Sequence, residues 1–361
     1  MRRILGLAIL AVVALGALAA TQLDLASLQR AASGREPATV SIYFGGEKSA
    51  LLANPAIRAI IEGRYGVTLE ATKAGSVEMA TTLDHAGRDC LWPSNMVAVE
   101  LARAAGKPVQ AAETIFNSPI VFYAWAEVAD ALADRGAVTR PNAGPPTADV
   151  AMIAGLITEG ARWQEDLGLK IYGPFKVFST DPTRSNSGNI WSGLLATALN
   201  QGATPTEADL PGLLPRLDAY FEAMGHMEGS SGDIFANFLK QGMGSRPIIV
   251  GYENQLVEFL GENAEAADLI RERIRVLYPE PTIFASHPLI SLTPACARLA
   301  EALSDPEVQA IAWRDHGFRT GLIGVENDPA EIEVADLPAD LALVAPMPAA
   351  PVMTAIIDTL R

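Results

Sequence analysis

The sequence predicts an α/β fold built from two lobes, and three observations support this prediction. Short apolar runs end in turn residues and are followed by segments with apolar residues at helical spacing. Such alternation of strand, turn and helix is typical of a mostly parallel sheet covered by helices. A length of 361 residues exceeds what one small core usually supports and suits two domains.

The first elements illustrate how each prediction is made. A compact apolar run over 39–44 is stopped by Gly45 and Gly46, which indicates a buried strand and a turn. A helix is predicted over 55–65 and a second strand over 67–71. Further strands are predicted over 120–125, 247–252 and 282–285, and further helices over 77–85, 95–105, 152–167, 191–200, 210–224, 233–240, 295–303, 306–316 and 352–360.

Residues 1–20 have the layout of a secretory signal peptide. Arg2 and Arg3 supply the basic start, 4–20 carries no charged side chain, and 17–19 forms a small-residue cleavage site. The same apolar run is at the lower limit of a bilayer-spanning length, so an uncleaved N-terminal anchor is the alternative. In both cases the rest of the chain is expected on the periplasmic, or otherwise extracytoplasmic, side of the membrane.

Composition excludes some partners and leaves the state of the two cysteines open. The formal net charge of −15 argues against a nucleic-acid partner, because phosphate backbones require a basic surface. It also argues against adsorption to an anionic membrane. Export would place Cys90 and Cys296 in an oxidising compartment where they could pair, and two buried free thiols are the alternative.

Polar residues directly after the predicted strands are the candidate ligand-binding groups, because ligands of open α/β sheets bind beyond the carboxyl ends of strands. Four such turns occur, at 45–49, 75–76, 93–95 and 180–188. The last is the richest, with five hydroxyl or amide side chains, one arginine and a glycine before a helix. Backbone N–H groups at a helix start, beside hydroxyls, suit an anion or another hydrogen-bond acceptor. The alternative is that Ser185 or Ser187 only caps the helix, as Ser residues commonly do.

Signatures of catalysis and of metal binding are missing from the sequence. The segment 46–49 lacks the glycine spacing of a phosphate-binding P-loop. The histidines are scattered along the chain, which disfavours a metal cluster. They are His85, His226, His287 and His316. The chain is therefore expected to be no enzyme and to need no metal or cofactor. A hydrolase that uses Ser185 or Ser187 is an alternative, and it requires a histidine within hydrogen-bond reach.

Four segments follow one another in the order found in a known family. They read Asn117-Ser118-Pro119-Ile120-Val121, then 180–188, then Tyr252-Glu253-Asn254-Gln255, and last a block from His287-Pro288-Leu289 through 304–309 to Gly317-Phe318-Arg319. In these segments the chain resembles the type II periplasmic solute-binding proteins, which include the molybdate, sulfate and phosphate binders of ABC transporters. It looks most similar to the branch found fused to von Willebrand factor A domains.

The resemblance implies a ligand held between two α/β lobes that close around it. Lobe one would comprise 38–118 plus 281–361, and lobe two 119–280, with hinge crossings near Ser118 and Ala285. Partners would be a small-molecule ligand and an ABC permease in the membrane. A membrane-anchored sensor or interaction protein with the same fold, without transport, is the alternative function.

The resemblance also implies which residues contact the ligand. Lobe one would contribute Gly46, Ser76 and Ser94, lobe two would contribute Thr180, Arg184, Ser185 and Ser187, and Tyr252 and Glu253 would complete the rim. The chain departs from the oxyanion binders after the first strand, where they usually carry Ser or Thr and this sequence has Gly45-Gly46-Glu47. Glu47 together with Glu253 would suit a cationic or polyhydroxyl ligand. The hydroxyls and helix starts favour an oxyanion slightly.

Overall fold

The computed structural model describes residues 36–142, 144–332, 337–341 and 343–361. The segment 1–20, predicted as a signal peptide or anchor, lies outside these ranges. In the described part of the chain, no helix is long and apolar enough to cross a membrane.

The described residues form ten strands and fourteen α-helices. The strands are β1 (Ala38–Phe44), β2 (Val67–Lys73), β3 (Cys90–Trp92), β4 (Ala111–Trp125), β5 (Val138–Thr139), β6 (Thr147–Asp149), β7 (Ile248–Tyr252), β8 (Ile274–Glu280), β9 (Phe284–Ser291) and β10 (Arg319–Thr320). The helices are α1 (Ser49–Ala53), α2 (Pro55–Gly63), α3 (Ser76–Thr81), α4 (Val97–Ala104), α5 (Ala126–Asp134), α6 (Val150–Thr158), α7 (Asn186–Leu199), α8 (Leu210–Glu222), α9 (Ser231–Gln241), α10 (Glu253–Glu262), α11 (Ala267–Arg273), α12 (Cys296–Leu303), α13 (Pro306–His316) and α14 (Ala350–Thr359). The predicted α/β class is confirmed.

Strand β4 is the longest strand of the sheet, and its two ends pair with different strands. Its first part, 111–119, pairs with β9 and, over two residues, with β10. Its second part, 120–125, pairs with β7 and β8. All of these pairings are antiparallel, whereas β1 pairs in parallel with β2 and β3, and β6 with β8. The sheet is therefore mixed, and the strand order is β2-β1-β3-β9-β4-β8-β6-β5.

Two large apolar clusters form the core. The smaller one surrounds Trp92 and Phe116, whose ring centroids lie 5.9 Å apart, and its members all fall within 38–118 and 281–361. The larger one surrounds Phe122 and Trp191, in edge-to-face contact at 5.4 Å. Most of its members fall within 119–280, but it also takes in apolar residues of α3, α4 and α14. Each core holds one part of β4 in place.

The C-terminal helix α14 packs against α4, α7 and α8. It buries Val352, Met353, Ile356 and Ile357 in these contacts. The segment that the sequence assigns to lobe one is thus also in contact with helices of 119–280.

Cys90 and Cys296 form a disulfide bond, which settles the alternative that the sequence leaves open. Cys90 lies in β3 and Cys296 begins α12, with their Cα atoms 5.6 Å apart. The bond joins residues 206 positions apart in the chain. It therefore ties the start of α12 to the sheet beside the smaller apolar cluster.

Candidate functional site

A polar cleft of about 400 Å³ lies where loops from distant parts of the chain meet. It is lined by 45–47 after β1, by 73–76 and Glu78 after β2, by 184–186 at the start of α7, and by 229–231 and Asp233 at the start of α9. Four residues predicted from the sequence are among the lining groups. They are Gly46, Ser76, Arg184 and Ser185.

The starts of two helices of ordinary length open onto this cleft. Ser185 occupies the N-cap position of α7, yet its side chain makes no capping hydrogen bond. Ser185 is a lining residue of the cleft, and its hydroxyl is not used to cap the helix. At α9, the hydroxyl of Ser230 accepts a hydrogen bond from the backbone N–H of Asp233 at 3.3 Å. The first-turn N–H groups of a helix need partners from outside the helix, and a bound acceptor can provide them.

Thr180 and Ser187 hold the loop before α7 in shape. Both side chains are buried, and their hydroxyl oxygens lie 2.7 Å apart. The hydroxyl of Thr180 also accepts a hydrogen bond from the backbone N–H of Gly188 at 2.8 Å. Thr180 thus satisfies one N–H group of the first turn of α7, a role that the alternative interpretation of the sequence assigns to Ser185 or Ser187. Neither Thr180 nor Ser187 is among the groups that line the cleft.

Ser94 lies directly behind the lining and connects two of its segments. Its backbone N–H donates to the hydroxyl of Ser76 at 3.1 Å. Its carbonyl accepts a hydrogen bond from the side-chain amide of Asn186 at 2.9 Å. The same amide donates to the hydroxyl of Tyr252 at 2.9 Å. Ser94 and Tyr252 are thus brought close to the cleft through Asn186, a lining residue that the sequence analysis did not single out.

A buried ion pair forms the floor of the cleft. The ammonium group of Lys48 donates to the carboxylate of Glu47, and the hydroxyl of Ser94 donates to the same carboxylate. Lys48 also donates to the hydroxyl of Ser94 at 3.1 Å, and the Nδ1 atom of His287 lies 3.4 Å from Glu47 Oε1. A carboxylate with so many partners is fixed in position. Its negative charge is balanced by Lys48.

The pKa values of this group follow from burial and from the neighbouring charges. Burial alone would raise the pKa of Glu47, but the charge of Lys48 and the nearby side chain of His287 outweigh it and hold the pKa well below its usual range. Burial and the charge of Lys48 lower the pKa of His287 to about 4. His287 is therefore neutral near pH 7. Burial also lowers the pKa of Lys48, and the charge of Glu47 and the hydrogen bond to it oppose this shift. As the ion pair, Lys48 and Glu47 contribute one positive and one negative charge, which cancel.

Glu253 does not line the cleft, although the resemblance implies that it does. Its carboxylate accepts hydrogen bonds from Arg319 at 2.7 and 2.9 Å and from the hydroxyl of Tyr278 at 2.6 Å. The side chain is fully buried, so its charge is neutralised inside the protein. The sequence correctly predicted that a strand ends just before Glu253. The carboxylate of Glu253, however, points towards β8 and β10.

Two ion pairs join opposite sides of the cleft. Arg184 Nε lies 2.7 Å from Glu78 Oε1, and Lys73 Nζ lies 3.6 Å from Asp233 Oδ1. The hydrogen bond to Glu78 raises the pKa of Arg184. Of these four residues, the sequence analysis identified only Arg184. Lys73 was missed because it belongs to the part of β2 beyond the predicted end at 71, and Asp233 because no predicted strand leads into α9.

A larger cavity of about 810 Å³ lies beside α10 and α13. Within it, His316 Nδ1 lies 3.0 Å from Glu258 Oε1, and His316 Nε2 lies 2.9 Å from the amide of Asn54. None of the nine predicted site residues lines this cavity. The smaller cleft is the better candidate, because helix starts and hydroxyl groups from several segments converge there.

The geometry required for the hydrolase alternative is not present in the described ranges. There, no histidine is hydrogen-bonded to Ser185 or Ser187. His85 bonds to the carbonyl of Met79, and His226 lies exposed on the surface. The described residues also contain no group of three or more His, Cys, Asp or Glu side chains placed to hold a metal ion.

No protein-family model matches the chain, and no curated protein sequence matches it. Solved structures, however, are similar to most of its length. A periplasmic thiamin binding protein shares 10% identity over 90% of this chain and 97% of that one, with a TM-score of 0.57. A ferric binding protein from Campylobacter jejuni shares 12% identity over 89% and 97%, with a TM-score of 0.56. Iron-bound HitA from Pseudomonas aeruginosa shares 13% identity over 90% and 99%, also with a TM-score of 0.56.

Identities this low establish the fold and not the ligand. The finer likeness to the branch fused to von Willebrand factor A domains stays a prediction. The agreement over nearly the whole described chain confirms the fold that the four sequence segments predict. The chain has the two-lobed fold of the type II periplasmic solute-binding proteins.

Proposed function

We propose that this chain is an extracytoplasmic solute-binding protein that captures a small polar ligand, preferably an oxyanion, and delivers it to an ABC permease. The observation that carries this proposal is the convergence of Gly46, Ser76, Arg184 and Ser185 on one polar cleft from segments far apart in the chain. The similar solved structures are binding proteins for thiamin and for iron, which supports capture of a small ligand and no catalysis.

In this proposal the cleft lies between two lobes, 38–118 plus 281–361 and 119–280. Gly46 and Ser76 belong to the first lobe, and Arg184 and Ser185 to the second. A ligand that contacts both sides stabilises the closed arrangement, because only there are both sets of contacts available. The predicted signal segment and the periplasmic origin of the thiamin binder support a location outside the cytoplasm.

The charge balance of the cleft supports an oxyanion over a cation. Three carboxylates line the cleft and could attract a cation, but each is paired with a basic group: Glu47 with Lys48, Glu78 with Arg184 and Asp233 with Lys73. Glu253, outside the lining, is paired with Arg319. The remaining lining offers serine hydroxyls and the starts of α7 and α9, which are donors to an anion. Arg184 also lines the cleft, and its charge is paired with Glu78. Glu47 alone would repel an anion, but its charge is paired with that of Lys48.

A thermal-shift screen tests the proposal. Sulfate, phosphate and molybdate are compared with thiamin, spermidine, glucose and an amino acid, in a chloride buffer. A ligand at about 100 times its Kd adds roughly 2.7 kcal/mol to the free energy of unfolding, so one oxyanion should raise the Tm by several degrees. A flat response to every compound would overturn the solute-binding proposal, and a rise with spermidine or thiamin alone would overturn the preference for an oxyanion.

Variants inside and outside the cleft test whether the oxyanion that raises the Tm binds in the cleft. Ser76→Ala and Ser185→Ala each remove one hydroxyl from the lining, and each should weaken the oxyanion response about fivefold to tenfold in Kd, the effect of losing one good hydrogen bond. Ser245→Ala removes an exposed hydroxyl outside the cleft and should leave it unchanged. An oxyanion response that survives in both cleft variants would place the ligand elsewhere.

A further inference from the structure

Three contacts join residues 73–78, at the end of β2 and directly after it, to the segments before α7 and at the start of α9. The backbone N–H of Val77 donates to the carbonyl of Arg184 at 3.3 Å. The guanidinium of Arg184 pairs with Glu78 at 2.7 Å, and Lys73 pairs with Asp233 at 3.6 Å. All three join one proposed lobe to the other, across the opening of the cleft. They involve protein groups only, so they act whether or not a ligand is bound.

The two ion pairs have opposite polarity, so each side of the cleft contributes one cation and one anion; we call them crossed ion pairs. The first segment offers a cation, Lys73, and an anion, Glu78, and the opposite side offers the anion Asp233 and the cation Arg184. If the two sides slid past each other, like charges would approach, which is unfavourable. The pairs thus favour one alignment of the two sides. Each is at least partly exposed, so each contributes modestly and is weakened by salt.

Gly75 sets how closely the two sides approach. Its φ of −69° and ψ of 146° are ordinary extended values that any residue adopts, so the backbone does not require a glycine. A Cβ atom at this position, however, would lie 2.2 Å from the carbonyl oxygen of Arg184. Glycine is needed there only because the opposite segment comes so near. Within its own lobe the Cβ atom would also lie 3.0 Å from Glu78 Oε2, the end of a flexible side chain that can move, whereas the backbone of Arg184 could yield only if the two lobes moved apart.

We propose that Gly75 and the two crossed ion pairs form a closure latch, which holds the lobes together through protein contacts and so regulates how readily the cleft opens to its ligand. This inference rests on the proposed function and its two lobes. With the latch intact, part of the free energy of closure comes from the protein itself. Ligand entry then requires opening against these contacts, and higher salt should make that opening easier.

Distance measurement between the lobes, without any ligand, tests the latch. Spin labels are attached through Arg58→Cys in α2 and Asp218→Cys in α8, both exposed positions, while the native cysteines stay in their disulfide. The parent protein should show mainly one short distance. Gly75→Ala should move most of the population to longer distances, and a distribution identical to that of the parent would overturn the latch.

Charge variants give an independent measurement in case Gly75→Ala does not fold. Glu78→Gln and Asp233→Asn should each raise the ratio of open to closed protein about 1.5- to fivefold at low salt, the range for an exposed ion pair. The combined exchange Glu78→Arg with Arg184→Glu should restore the parent ratio. Glu100→Gln, which removes a comparably exposed ion pair to Arg103 within α4, should have no effect.

Equal open-to-closed ratios in the parent and in the cleft charge variants would also overturn the latch. The proposed function is judged separately, by the thermal-shift screen. A protein that binds no compound but opens in Gly75→Ala would retain the latch and lose the solute-binding proposal. A protein that binds an oxyanion but shows the same distances in every variant would retain the solute-binding proposal and lose the latch.

Discussion

Ser118 in β4 and Ala285 in β9 are paired with each other in antiparallel register. On one side of this pair, β4 continues against β9 and β10, and on the other side against β7 and β8. Both crossings between the proposed lobes therefore lie side by side in the sheet. Two adjacent strands can bend together while their hydrogen bonds remain, so a hinge at this point would leave both apolar clusters intact.

Ser118→Ala should lower the free energy of unfolding by about 1 kcal/mol. The buried hydroxyl of Ser118 donates to the side-chain oxygen of Asn254 at 3.4 Å, and without it that oxygen loses its partner in the protein interior. Urea unfolding of Ser118→Ala, Asn254→Leu and the double variant measures the effect. The double variant should lose less stability than the sum of the single variants, because no buried polar group is then left alone. Additive losses would contradict the contact.

Much of this fold was predictable from local signals. The apolar run at 39–44 and the pair Gly45-Gly46 predict β1 and its turn, and the structure places β1 at Ala38–Phe44. Strand β4 was only half predicted, at 120–125, because its first part carries polar residues such as Glu113 and Asn117. That part pairs with β9, which comes more than 160 residues later in the chain, and the sequence does not reveal such a pairing.

The candidate site was predictable to a similar degree. Ser76 and Ser185 follow the rule that polar residues at strand ends and helix starts converge, and both line the cleft. Glu253 obeys the same rule, yet Arg319, 66 residues away, draws its carboxylate into a buried ion pair. The orientation of a charged side chain depends on a partner that only the folded chain brings near. For the same reason, the pairing of Lys73 with Asp233 could not be read from the sequence.

The disulfide should contribute about 2–5 kcal/mol to the free energy of unfolding, because it closes a very long loop in the unfolded chain. Replacing Cys90 and Cys296 together by alanine should lower stability by that amount in urea unfolding. Reductant should destabilise the parent protein to a similar level and leave the double variant unchanged. Alkylation of two free thiols in the unreduced, denatured parent protein would show that the bond does not form.

Gly188→Ala should destabilise the protein by about 1–3 kcal/mol, although alanine is normally the better helix residue. The reason is steric, since a Cβ atom on Gly188 would lie 2.0 Å from the backbone carbonyl of Thr180. The loop before α7 would have to shift, and oxyanion binding should weaken with it. Gly232→Ala in α9 is the matched control, because open space surrounds that position and the variant should be neutral or slightly more stable. Equal stabilities of the two variants, measured by urea unfolding, would refute this account of the loop.

His287 should make the protein less stable in mild acid. Burial and the charge of Lys48 lower its pKa from 6.5 to about 4. As the pH falls from 6.5 towards 4, the unfolded chain therefore takes up a proton that the folded protein does not, and folding loses stability. Between pH 7 and pH 4.5 this loss amounts to about 2–3 kcal/mol.

The effect of His287 on stability is best measured with variants, because the titration of Glu258 changes the free energy of unfolding in the opposite direction over the same pH range. Burial raises the pKa of Glu258 to about 7, so the stability that its protonation gives is lost as the pH rises from 4.5 to 7. Urea unfolding of the parent and of His287→Gln at pH 7 and pH 4.5 cancels this shared contribution. The parent should lose about 2–3 kcal/mol more than His287→Gln on acidification, whereas His226→Gln, at an exposed position, should behave as the parent does. An identical loss in the parent and in His287→Gln would mean that His287 takes up its proton at the same pH in the folded and in the unfolded protein, and it would contradict the lowered pKa.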